Sequence, residues 1–235
     1  MSQWRKIVFE SLKEFDAPRV LSLSDLVNYV KETVPDISER KAGLFIEQAV
    51  SFNLLTSVRH GLWINNNVFP TPTLSEAAHR IRKGAVVSLH TVLSDAGVLN
   101  NFTSEVFSVV PIPEAGTGPK PNLGSLEGAG TNFHFKGIKQ SILEAGEEDD
   151  RLVPMLAYAR ATPEAAIVHW IYLAHARGSS MHEPDTQCDM DQLDFERLER
   201  LAAAAGLQEQ VFDWVERCRQ RAHDDDEQTY WQPGM

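Results

Sequence analysis

Apolar residues at Trp4, Ile7, Val8, Leu12 and Phe15 recur at helical spacing and predict a first helix, which Pro18 stops. Ser22 and Asp25 form a capping-box pattern ahead of Leu26, Val27, Val30 and Val34, so a second helix is expected to run up to Pro35. Ser38 stands as the cap of a third helix, with Ile37 before it as a staple residue. Ala42, Phe45, Ile46 and Ala49 make the clearest amphipathic stripe in the chain, and Arg40, Lys41, Leu44, Gln48 and Ser51 fall on its other side. Two β-prone runs follow, Leu54 to Arg59 and Leu62 to Ile64, separated by His60-Gly61, which reads as a hairpin. Three helices and a hairpin is the order of a winged helix, with the third helix as reader and the hairpin as wing.

Asn65-Asn66-Asn67 and the Pro70/Pro72 pair read as a hinge. Thr73 to Lys83 is expected to be helical, with Arg80, Arg82 and Lys83 toward its C-terminal end, where cations suit the helix dipole. A helix from about Ser88 to Ala96 ends at Gly97, and Glu105–Ile112 and Thr131–Lys139 are strand candidates. Between these strands, Gly116 to Gly130 reads as a Gly/Pro loop, and Glu147 to Asp150 as an acidic turn. Thr162, Pro163 and Glu164 are N-cap, first-position and first-turn residues. The run Ala165 to Ala174 that they introduce is apolar nearly all round, so this helix is expected at the centre of a core. Asp194–Ala205 and Gln208–Arg221 form two amphipathic helices joined at Gly206, and a frayed tail is expected from 223 to 235.

Charge divides this pattern unevenly. The net charge is -11, yet residues 1–66 hold eight Lys/Arg against eight Asp/Glu. The whole excess lies in the remaining residues, which argues against nucleic-acid binding over the whole surface and places any nucleic-acid contact in the first part rather than the second. Two cysteines, Cys188 and Cys218, are too few for a secreted disulfide framework. With no apolar leader at the N-terminus and no apolar run long enough to span a bilayer, a cytoplasmic location and no membrane partner are expected.

Few motifs suggest catalysis. Gly116-Thr117-Gly118-Pro119-Lys120 lacks the spacing of a phosphate loop. Gly178-Ser179, followed after nine residues by Asp189-Met190-Asp191, resembles the metal-holding signature of nucleotidyltransferases. That signature needs a strand after the aspartates, and here the pattern turns helical. His175, His182 and Cys188 match no common metal-site spacing, and His169 reads as a satisfied core histidine. No cofactor or metal is expected. On the third helix, by contrast, Arg and Lys suit guanine or phosphate and Gln suits adenine, while Arg59 and His60 at the wing tip suit phosphates or a minor groove.

Several fragments, in order, resemble AbiEi-type antitoxins of type IV toxin–antitoxin systems. Arg59-His60-Gly61-Leu62-Trp63 is similar to the R-x-G-[VL]-[YW] element that ends that family's winged helix. Ala85 to Leu93 with Gly97-Val98-Leu99 is similar to its "ISLESAL…GL" helix, and Val106 to Val110 to its "V-x-V-V" strand. Ala161 to Ile167 is similar to "ATPEKALLD", with Ala165 in place of a frequent lysine, and Leu193 to Leu198 to the downstream helix. The likeness runs in fragments over roughly residues 54–220. It implies a promoter-binding autoregulator whose C-terminal domain serves neutralisation of a nucleotidyltransferase-like toxin.

The combined expectation is an α+β chain. A winged helix-turn-helix occupies 1–66, a mixed α/β domain with a small sheet and several helices occupies 67–222, and a flexible tail occupies 223–235. The expected function is non-enzymatic: an antitoxin and repressor of its own operon, with Arg40, Lys41, Leu44, Gln48, Arg59 and His60 on promoter DNA and a toxin as protein partner. The sequence leaves a homo-oligomer open. Two rivals remain, a winged-helix scaffold that binds protein without DNA and an enzyme using Asp189 and Asp191.

Overall fold

The computed structural model describes residues 2–113, 120–144 and 158–230. Most of the Gly116–Lys120 stretch and the acidic turn at 147–150 lie outside the described residues. The fold is α+β. The chain divides into two compact units, Met1–Lys83 with Leu126–Asn132, and Gly84–Ser125 with Phe133–Met235.

The first unit contains α1 (Gln3–Ser11), β1 (Val20–Ser22), α2 (Leu23–Thr33), α3 (Glu39–Ser51), β2 (Leu55–Arg59), β3 (Leu62–Asn65) and the short α4 (Ala78–Ile81). Its sheet has the order β1-β3-β2 and is antiparallel throughout, with Leu21 opposite Trp63 and Thr56 opposite Ile64. The first six elements have the order and sheet pairing of a winged helix. The strand β1 was not expected. It is only three residues long and acquires its identity by pairing with β3, information a local pattern does not carry.

Helix α1 is shorter than its apolar spacing suggests. After Ser11 the backbone tightens into successive three-residue turns, Lys13 N–H to the Glu10 carbonyl and Glu14 N–H to that of Ser11. The buried face therefore consists of Val8, Phe9 and Leu12, while Ile7 is half exposed and Phe15 almost fully so. The Phe9 and Trp4 rings pack on the fully buried Phe45 of α3, at centroid distances of 4.9 and 6.0 Å. Around Phe45 lie Leu21, Leu26, Val30, Ala42, Ile46 and Leu55, and burying each such larger side chain contributes about 1.5–3 kcal/mol.

The capping box of α2 forms as its sequence suggests. Asp25 N–H donates to Ser22 Oγ at 3.2 Å, and Ser22 N–H donates to Asp25 Oδ2 at 3.0 Å. Ser38 occupies the cap position of α3, but only its backbone carbonyl serves the helix, by accepting from Ala42 N–H. Inside α3, a Cβ added at Gly43 would meet nothing within 4 Å. Gly43→Ala is accordingly expected to stabilise the first unit by about 0.5–1 kcal/mol, read as a raised urea midpoint at unchanged m-value.

The Asn triplet is not a hinge. Asn65 is fully buried, and its amide ties the end of α1 to the approach to β1. Beyond it, Thr73 and Glu76 form a second capping box. Glu76, 4% exposed, takes both Nε and Nη2 of Arg19 at 2.8 and 2.9 Å. This two-point ion pair fastens the segment after residue 66 to β1, and the compact unit accordingly extends to Lys83.

A second sheet has the order β4-β5-β7-β6, from β4 (Val86–Val87), β5 (Val106–Ile112), β6 (Ser125–Gly128) and β7 (Thr131–Lys139), and its residues belong to the second unit except for Leu126–Asn132. The sheet is mixed, with β4 antiparallel and β7 parallel to β5, where Val106 is opposite Phe133 and Ile112 opposite Lys139. Strand β6 lies in the stretch expected as loop. Its exposed side chains give no alternating pattern. The helices are α5 (Leu89–Asp95), α6 (Gln140–Glu144), α7 (Pro163–Ala174), α8 (Phe195–Ala205) and α9 (Gln208–Tyr230).

Helix α7 is buried nearly all round, as its composition requires. Thr162 accepts a hydrogen bond from Ala165 N–H, and the buried Glu164 accepts one from Asp194 N–H at 2.9 Å, just where Asp194 caps α8. The Thr-Pro-Glu run thus starts one helix and anchors the start of another. Gly206 ends α8 in the left-handed conformation, at φ 68°, as a C-terminal glycine does. Helix α9 then continues through Tyr230, past the point where the tail was expected. Among the described residues, no helix is long and apolar enough to cross a membrane.

Candidate nucleic-acid interface

The face of α3 opposite the core is built by simple helical geometry. Ala42, Phe45, Ile46 and Ala49 turn inward. Residues four and seven apart then share the outward line, which carries Arg40, Leu44, Glu47 and Ser51. Lys41 and Gln48 lie along the adjoining line, with Lys41 exposed and Gln48 half buried. Leu44 is 48% exposed, an apolar group among polar neighbours.

The wing is a tight turn. Arg59 pairs with Leu62 in the β2–β3 register, which leaves His60 and Gly61 as the two turn residues. Gly61 has φ 79°, which an L side chain adopts only under strain, and its carbonyl accepts from Leu23 N–H at the start of α2. A register shift between Ser57 and Arg59 turns the end of β2, and Arg59 and His60 are both exposed. All six expected contact residues therefore belong to one module, five of them exposed.

Ion pairing separates the module's cations into two groups. Lys13 is held by Glu10 at 2.8 Å, Arg19 by Glu76, and Lys31 by Glu39 at 2.7 Å, while Arg5 lies 5.1 Å over the Trp4 ring. Among the described residues, the side chains of Arg40, Lys41 and Arg59, and that of Lys6 on α1, have no hydrogen bond, ion pair or ring contact. An even charge count thus conceals three uncommitted cations on the reader helix and wing, while on the other faces Arg5, Lys13, Arg19 and Lys31 are engaged and Lys6 is not. The Lys31 ammonium, by hydrogen bond and charge, holds the Glu39 carboxyl below its usual range at the start of α3. At Asp25, burial raises the carboxyl, but the Ser22 N–H, the Ser22 hydroxyl and Arg80 outweigh it and hold the group ionised. Glu47 remains as an uncommitted acid on the reader face.

The other sequence candidates do not assemble. Asp189 caps a turn at Met190–Gln192 by accepting from Asp191 N–H, and it also accepts from Gln192 Nε2. The buried helix α7 precedes the pair and α8 follows, so the strands of a nucleotidyltransferase metal site are missing from both sides. His175 Nε2 lies 2.5 Å from Glu183 Oε1, whereas Cys188 Sγ lies 3.6 Å from Cys218 Sγ. The hydrogen bond between the two thiols holds the Cys188 thiol below its usual range and, with burial, pushes that of Cys218 up. Among the described residues, no three such side chains converge on a metal position. His169 is buried against Ser88 Oγ at 2.9 Å.

No known family profile and no curated protein matches the sequence. The fold is similar to that in the crystal structure of the Rv2827c protein from Mycobacterium tuberculosis. The TM-score is 0.54 at 16% identity, over 93% of this chain and 78% of that one. At this identity the likeness concerns fold alone, and it extends over both units.

Proposed function

We propose that the chain is a non-enzymatic antitoxin that represses its own operon through the winged helix and neutralises a nucleotidyltransferase-like toxin. The observation that carries the DNA part is the set of uncommitted cations, Arg40, Lys41 and Arg59, on the reader helix and wing of a module whose other cations are largely engaged. In this reading α3 enters the major groove. Arg40 and Lys41 meet phosphate or guanine, Gln48 reads adenine, Leu44 meets a thymine methyl, and Arg59 and His60 reach the flanking backbone. The toxin part rests on the resemblance of the ordered fragments to AbiEi-type antitoxins, and the acidic excess outside residues 1–66 favours a basic partner.

The test is binding to the chain's own promoter fragment across a salt series. Wild type is expected to bind with an affinity that falls as salt rises. The triple variant Arg40→Ala/Lys41→Ala/Arg59→Ala is expected to reduce the slope of log affinity against log salt by about 2.7, if each cation displaces one counterion. Absence of binding even at low salt would remove the DNA role.

Leu44 and Glu47 on the same face support a second reading, in which the module binds protein and touches no DNA. A partner that co-purifies only when α3 is intact, together with flat DNA titrations, would select it.

A further inference from the structure

The outer side of the α8–α9 pair carries a groove of about 650 Å³. Leu198 and Val215 are buried at its floor, and Phe212 stands 62% exposed beside it. The rim holds Glu199, Glu209 and Asp213. Among the described residues, none of these three carboxylates has a hydrogen bond or ion pair from its side chain. The lining cation, Arg219, is held by Glu216 at 2.6 Å and lies over the Phe195 ring. The groove is therefore apolar inside and negative around its edge. A large exposed aromatic beside an apolar floor is the form of an anchor site.

We infer that this groove docks a basic amphipathic segment of a partner protein, whose apolar side chains pack on Phe212 and whose Lys or Arg residues meet Glu199, Glu209 and Asp213. Charge decides the occupant. A second copy docked through the same groove would set two acidic rims against each other, and nucleic acid or an anionic membrane would be repelled. A helix laid into the groove uses both features at once, apolar anchors inward and cations at the edges. The inference rests on the proposal that the second unit binds a protein partner, and it names the surface and the chemistry.

The probe is a fluorescein-labelled 15-residue amphipathic helix of leucine and lysine, compared with the same pattern in leucine and glutamate. Full-length wild type is expected to bind the lysine peptide at least tenfold more tightly than the glutamate peptide. Phe212→Asp is expected to weaken lysine-peptide binding at least tenfold, although it adds negative charge. Simple charge attraction would instead strengthen it, so an affinity that is unchanged or raised overturns the groove. Glu209→Lys/Asp213→Lys is expected to weaken the same binding, with circular dichroism confirming the fold. A wild-type dimer that Phe212→Asp converts to monomer would overturn the proposal in favour of self-association. Growth protection against a nucleotidyltransferase encoded by the adjacent gene separates the two levels. A wild-type chain that gives no protection removes the antitoxin reading. If wild type and Phe212→Asp protect equally, the groove is overturned and the antitoxin reading stands.

Discussion

Asn65→Ala is expected to destabilise the first unit by about 3–4 kcal/mol, a large fraction of the stability of an ordinary small domain. Asn65 is fully buried at the end of β3. Its Nδ2 donates to the carbonyls of Leu12 at 2.9 Å and Pro18 at 3.2 Å, and its Oδ1 accepts from Asn67 N–H and Asn67 Nδ2. Every donor and acceptor position of the amide is therefore used. Truncation leaves two carbonyls and two N–H donors of Asn67 without these partners in a buried to half-buried setting, each costing up to about 1–3 kcal/mol, less what local relaxation and water recover. Asn65→Asp should cost at least as much, because it removes both donors and aims a carboxylate at two carbonyl oxygens. Asn66 provides the control. Its amide bonds to the Asn53 carbonyl and Thr56 Oγ1 lie nearer solvent, so Asn66→Ala should cost about 1 kcal/mol or less. Urea unfolding, followed by hydrogen exchange of the β1-β3-β2 amides, measures both. Equal losses at positions 65 and 66 would defeat the burial argument.

The same asparagines show what a linear pattern can reveal. Asn-Asn-Asn reads as loop because asparagine favours turns, and only the tertiary fold makes the first of them a cross-link among three chain segments. Helix α3, the Gly-turned hairpin, α7, and the α8–Gly206–α9 pair were legible because period, cap and stop signal agree there. Strands β1, β4 and β6 were not, since two to four residues hold no period and depend on a neighbour for definition. Phe15 also misled: its spacing fits a helix that ends four residues earlier.

The candidate interface was legible in residue type but not in electrostatic state. Sequence places Arg40, Lys41 and Arg59 on the reader helix and wing, but it gives no sign that they are free of ion pairs while Arg19 and Lys31 are not. The fold removes Arg19 and Lys31 from consideration by pairing them with Glu76 and Glu39, residues 57 and 8 positions away. The α8–α9 groove had one linear trace, a phenylalanine between acidic positions at Glu209 and Asp213. Its meaning needed the knowledge that Phe212 points outward while Val211, Trp214 and Val215 point in.

Acid is expected to loosen the second unit before most carboxylates titrate, because of His169. Its ring is 1% exposed on α7, with Nδ1 2.9 Å from Ser88 Oγ, and burial lowers its pKa to about 4. An unfolded chain protonates this histidine near 6.5, while the folded chain refuses the proton until much lower pH. Between these values the unfolded state binds more protons, so stability is complete above about pH 6.5 and declines as pH falls toward 4. The full gap corresponds to about 3 kcal/mol, of which about 2 kcal/mol should be lost between pH 7 and pH 5. His90 adds to the loss in the same direction, since burial lowers its pKa as well. Asp25, Glu39 and Glu183 are held below their ordinary range, so their contributions fade at lower pH than this window. The comparison that isolates the effect is His169→Gln, a neutral replacement that retains hydrogen-bonding capacity toward Ser88. The variant should be less stable at pH 7 through imperfect packing, yet its stability should change by only a fraction of the wild-type amount on going to pH 5. Parallel pH profiles for the two proteins would show that His169 takes up its proton at the same pH folded and unfolded, and the Ser88–His169 pair would then need a counter-charge to hold the imidazolium that its apolar surroundings do not offer.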